Sequence, residues 1–185
     1  EDVEKLIEQV LAGDPANSEA LLLKANAMIQ KDNPEAAAEA FQQVLQADDR
    51  NLRAYLGLPG ILARQGDLSG AETHLRRAAE AAPEALEPQL ALFNFYAGHQ
   101  RPAEAESVIT AAIAKHPQNV DLRIALGNLH ASRNAIPQAE AAYLQAVDVA
   151  PKDPRPCMVA AGFYEALEDH AKALGMYNRA LELKP

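Results

Sequence analysis

"PQAEAAYLQAVDVA", residues 137–150, is the stretch that decides the fold. Its apolar residues Ala139, Ala142, Tyr143, Ala146 and Val147 fall at the i, i+3, i+4 spacing of one buried helix face. Proline stands near its start, where the first helical turn tolerates it, and Pro151 follows its end. The same pattern returns at a fixed distance along the whole chain.

Pro83, Pro117, Pro151 and Pro185 are spaced by 34 residues; stepping back from Pro83 reaches Asp49 and then Pro15. Ala37, Ala71, Ala105, Ala139 and Ala173 form a second column. Four residues later stand Phe41, Leu75, Ile109, Tyr143 and Tyr177, and three further on Val44, Ala78, Ala112, Ala146 and Ala180. Columns in one shared register are the signature of a solenoid, in which each repeat buries its apolar face only against its neighbours. A second helical stretch precedes each of these. In "VDLRIALGNLHASRN" (120–134) the apolar positions are Leu122, Ala125, Leu126, Leu129 and Ala131. The breakers "NP" (33–34), "QGD" (65–67) and "RP" (101–102) separate the two helices, and Asn17, Asn51, Asn119 and Asp153 stand at N-cap positions. The register predicts eleven helices, near 2–12, 18–31, 34–47, 52–65, 68–81, 87–99, 102–115, 120–133, 136–149, 154–167 and 170–183.

The pattern resembles the tetratricopeptide repeat (TPR), W-x2-L-G-x2-Y, then A-x3-F, then P. Leu126 and Gly127 supply the Leu-Gly pair, with His130 in the tyrosine slot; Tyr96 and Tyr164 match that tyrosine. Ala139, Tyr143 and Pro151, and likewise Ala173, Tyr177 and Pro185, supply the second-helix signature. The resemblance covers residues 1–185 and implies an all-α fold, a right-handed superhelical solenoid of antiparallel helix pairs. Repeats run 18–51, 52–85, 86–119, 120–153 and 154–185, and 1–15 reads as the second helix of a partial repeat, with Val3, Ile7, Val10 and Pro15 in step.

The departures are informative. The tryptophan slot holds Leu21, Tyr55, Gln89, Arg123 and Cys157, and the small-residue slot holds Ala25, Pro59, Phe93, Gly127 and Ala161. Pro59 therefore falls in the body of a first helix, flanked by Gly57 and Gly60, where it removes the N–H that would bond the Tyr55 carbonyl. A kink is expected there.

Composition narrows the function. Alanine supplies 39 of 185 residues and tryptophan is absent, which favours closely packed helices. The formal net charge is −9, and no basic run offers a nucleic-acid surface. No stretch approaches the roughly 18 apolar residues of a membrane span, so direct membrane insertion is not expected. No signal peptide is visible, and the single Cys157 does not separate cytosol from periplasm. The five histidines fall at five different repeat positions, with no i, i+4 pair to hold a metal, and read as ordinary surface or interface residues. Cys157 reads as a small buried hydrophobe. No catalytic residue, metal site or cofactor is expected.

In the family that this chain resembles, first helices line a concave groove. The positions that face it here are Leu22, Leu56, Leu90, Ile124 and Met158. One turn later come Asn26, Gly60, Asn94, Asn128 and Gly162, and one turn earlier Glu19, Arg53, Glu87, Asp121 and Arg155. Leu22, Asn26, Arg53, Leu56, Leu90, Asn94, Ile124, Asn128, Arg155 and Met158 are the candidate partner-binding residues. Apolar anchors and amides suit a peptide or helix of another protein. The lysine slot of the carboxylate clamp that holds acidic chaperone tails carries only leucine, isoleucine or methionine, which disfavours that ligand. The expected function is a non-catalytic protein-interaction scaffold. The alternatives are the recognition arm of a larger enzyme or bacterial envelope or polysaccharide-export protein, and a module that self-associates through exposed array ends.

Overall fold

The computed structural model describes residues 2–183; Pro185, the last proline of the register, lies outside the described residues. Eleven α-helices and no strand are present among them. The chain divides into two compact units, Glu1–Leu92 and Phe93–Pro185. The first contains α1 (Asp2–Gly13), α2 (Ser18–Gln30), α3 (Pro34–Ala47), α4 (Leu52–Arg64), α5 (Leu68–Ala81) and the start of α6 (Leu86–Gly98). The second contains the rest of α6, α7 (Pro102–Lys115), α8 (Val120–Ser132), α9 (Ile136–Val149), α10 (Pro154–Ala166) and α11 (His170–Leu183). Every helix boundary lies within one residue of its predicted position.

Local chemistry sets these boundaries. Asn17, Asn51, Asn119 and Asp153 each cap a first helix, accepting from the backbone N–H of Ala20, Ala54, Leu122 and Arg155. Each hairpin turn is built alike. Asp32, Gly66, Gln100, Asn134 and Glu168 hold the left-handed backbone, φ 54–86°, again at intervals of 34. The following N–H closes back on the first helix, as Asn33 on the Met28 carbonyl (2.9 Å) and Ala135 on that of His130 (2.9 Å).

Alanine makes the packing close. Ala37, Ala71, Ala105 and Ala139 are all fully buried, and in the first unit Ala37 and Ala40 share a core with Leu21, Phe41, Val44, Leu58 and Ile61. α2 packs on α3 and α4 on α5; α8 packs on α9 and α10 on α11. The second unit centres on Tyr143, Phe163 and Tyr164, with Cys157 buried against Val147 and Ala180. Burial pushes the Cys157 thiol up, away from nucleophilic reactivity. One sequence expectation needs correcting. His130, in the tyrosine slot, is a buried core residue rather than a surface one. Pro59 is buried too and lies inside α4, which runs through it from Leu52 to Arg64, in the body of a first helix as the register places it.

Candidate functional site

The first unit gathers four predicted residues in one place. A cleft of about 310 Å³ is lined by Leu22, Asn26 and Ile29 of α2, Phe41 of α3, Leu52, Arg53, Leu56 and Gly57 of α4, and Glu87 at the start of α6. The capped starts of α2 and α4 fix the register of the two helices, so Leu22 and Leu56 share one side. Leu22 and Phe41 are almost fully buried and form the floor; Leu56 is half-buried, and Ile29 is 42% exposed. Asn26 is exposed, and its amide makes no hydrogen bond among the described residues. Its donor and acceptor are both available to a ligand.

The charged rim is closed partly on itself. Arg53 donates from Nη1 to both carboxylate oxygens of Glu19, at 3.1 and 3.0 Å, across one repeat. In the second unit Arg155 reaches Asp121 across one repeat at 3.4 Å, and Nε of Arg155 donates to Asp153 at 2.9 Å. The hydrogen bond from Arg155 holds the Asp153 carboxyl below its usual range. Arg53 and Arg155 are thus structural partners of neighbouring helices. Glu87, the next member of the first unit's column, lines the cleft with no ion-pair partner among the described residues.

The other candidates are placed differently. Leu90 is half-buried in the first unit, outside the residues lining the cleft. In the second unit Asn94 and Asn128 are exposed and Ile124 is half-buried. The Tyr143 hydroxyl donates to Asn128 Oδ1 at 2.7 Å, which leaves that amide its N–H groups for a ligand. Burial raises the Tyr143 hydroxyl above its usual pKa, so it is a donor at neutral pH. Met158 is 53% exposed and lines a separate depression with Pro154, Tyr177, Ala180 and Leu181.

Sequence reasoning missed Phe41 and Gly57. The Phe41 ring lies against the Gly57 backbone, where any Cβ would run into it. A second-helix aromatic therefore forms the floor of a first-helix groove. The signal was the glycine itself, two residues before Pro59.

The tetratricopeptide-repeat family model matches residues 1–58, 28–93 and 96–161, well over half of the chain. This chain belongs to the tetratricopeptide repeat family. A search of curated proteins finds no match to the sequence. Among solved structures, this TPR chain is similar to a MamA structure with 21% identity and a TM-score of 0.64, covering 86% of this chain and 94% of that one. It is similar to YrrB, a TPR protein with an unusual peptide-binding site, with 17% identity and a TM-score of 0.63 over 97% of this chain and 92% of that one. PilF of Pseudomonas aeruginosa gives 16% identity and a TM-score of 0.65 over 93% and 78%. At these identities the likeness is one of fold. TPR folds are typically non-catalytic scaffolds for protein–protein contact. Among the described residues no group of three or more His, Cys, Asp or Glu side chains is placed to hold a metal. No described helix is long and apolar enough to cross a membrane.

Proposed function

We propose that this TPR chain is a non-catalytic scaffold that binds a peptide or helix of another protein along its first helices, with the α2–α4 cleft of the first unit as the principal seat. The carrying observation is the cleft itself: an apolar floor of Leu22, Phe41 and Leu56 beside the unbonded Asn26 amide. Apolar side chains of a partner lose water on that floor, and Asn26 can pair with one of the partner's backbone groups. The test compares proteins captured from the source lysate by the natural chain and by Leu56→Asp combined with Asn26→Ala. The double variant is expected to lose the captured partner while its circular dichroism stays helical. Unchanged capture would place the site elsewhere.

A second reading, self-association, is favoured by exposed apolar side chains on α1 (Val3 and Leu6) and on α11 (Leu174 and Leu181). Light scattering against concentration separates the two: a molecular mass constant with concentration removes self-association.

A further inference from the structure

We infer that the α2–α4 cleft selects a peptide segment in which one bulky apolar residue is flanked by lysine or arginine. This inference rests on the cleft being a peptide seat and adds the chemistry of its occupant.

The size and lining of the cleft supply the anchor. Its roughly 310 Å³ is ample room for a large side chain. Leu22, Ile29, Phe41, Leu52 and Leu56 offer that side chain an apolar environment. Asn26 stands beside them as the unpaired polar group that fixes backbone direction. A charged anchor would lose its hydration with no buried counter-ion to replace it.

The rim supplies the sign of the neighbours. Three charges of the 34-residue column belong to this unit: Glu19, Arg53 and Glu87. Arg53 is held by Glu19 with both carboxylate oxygens engaged, so its charge is already compensated. Glu87 is the uncompensated member. The rim therefore presents a net negative charge beside an apolar hole, and the chain as a whole is acidic, with a net charge of −9. A cationic residue next to the anchor pairs with Glu87 and is drawn in by the surrounding field; an acidic one is repelled. This is the opposite charge preference to a carboxylate clamp.

The probe is a phage-displayed library of random dodecapeptides, panned on the full chain at low salt. Enriched peptides are then synthesised and measured by fluorescence anisotropy. The expected result is a shared large apolar residue with Lys or Arg within two positions. Replacing that apolar residue by Ala should weaken binding at least tenfold, since a buried anchor dominates such contacts. Replacing the flanking Lys or Arg by Ala should weaken it about threefold to fivefold, an effect that fades in high salt. Glu87→Gln should weaken the basic peptides by a similar factor, and Glu87→Lys should turn the enrichment toward Asp and Glu. Glu35→Lys, an exposed change on α3 outside the cleft lining, controls for net charge and should act less. Enrichment with no charge bias, or an equal response to Glu35→Lys and Glu87→Lys, overturns this inference while leaving the peptide seat standing. No enrichment, or enrichment that Leu56→Asp with Asn26→Ala does not abolish, overturns the seat and the inference together.

Discussion

Phe41 and Tyr143 occupy the same register position, three repeats of 34 apart, and lean in opposite directions. Phe41 of α3 leans forward onto Gly57 of the following helix, α4. Tyr143 of α9 leans back onto Gly127 of its own partner helix, α8. The glycine positions explain the choice. In the first unit the small-residue slot of α2 holds Ala25, and the opening lies ahead at Gly57. In the second unit Gly127 opens the way back, while the position corresponding to Gly57 is Val159. A second-helix aromatic goes where a Cβ is missing. The forward-leaning ring becomes the floor of a cleft. The backward-leaning ring is held by the 2.7 Å bond to Asn128 and by Phe163, whose ring centroid lies 5.0 Å away.

The largest effect should come from filling the two glycines. Alanine in a helix interior gains about 1 kcal/mol of propensity over glycine. At Gly127 the added methyl meets a Tyr143 ring that is bonded and flanked, so overpacking of about 1–3 kcal/mol should prevail. Gly127→Ala is expected to lower the urea midpoint. At Gly57 the Phe41 ring has the cleft beside it and can move into that space. Gly57→Ala should leave the midpoint close to that of the natural chain, or raise it slightly, while removing the seat for a peptide. Equal losses at both positions would show that the direction of the ring does not matter.

A smaller effect should come from the hydroxyl that distinguishes the two rings. Tyr143→Phe removes the bond to Asn128 and should cost about 1 kcal/mol, read as a lower urea midpoint. It should also release the Asn128 amide, making its side-chain signals in nuclear magnetic resonance resemble those of Asn26. An unchanged Asn128 signal would mean that the hydroxyl does not orient the amide.

The helices were legible in the sequence because their determinants are local and repeated. Ala37, Ala71, Ala105 and Ala139 mark one buried column, and the Asn and Asp caps mark four of the five first-helix starts, the exception being α6, preceded by Ala85. The groove stripe was legible in part: Leu22, Asn26, Arg53 and Leu56 do meet in one cleft. Phe41 was not, because its direction depends on comparing Ala25 with Gly57, two residues on different helices. The pairing of Glu19 with Arg53 escaped notice for a related reason. A stripe read down one column shows charges of both signs, but only the spacing of successive first helices tells which of them neutralise one another. The register places Pro59 in the body of a first helix, and the core around α4 holds its backbone helical despite the missing N–H.

The five hairpin turns reveal unused headroom for thermal tolerance. Each places one residue in the left-handed region, yet only Gly66 is a glycine; Asp32, Gln100, Asn134 and Glu168 adopt φ 54–59° with a Cβ in place. For an L-residue that backbone costs about 1–2 kcal/mol, less for asparagine, and glycine returns part of the gain through its freer unfolded chain. Gln100→Gly and Glu168→Gly should therefore each add about 0.5–1 kcal/mol, visible as a higher melting temperature, with Asn134→Gly adding least. Because these turns recur at every 34th residue, the chain can be hardened one repeat at a time without touching a residue of the α2–α4 cleft.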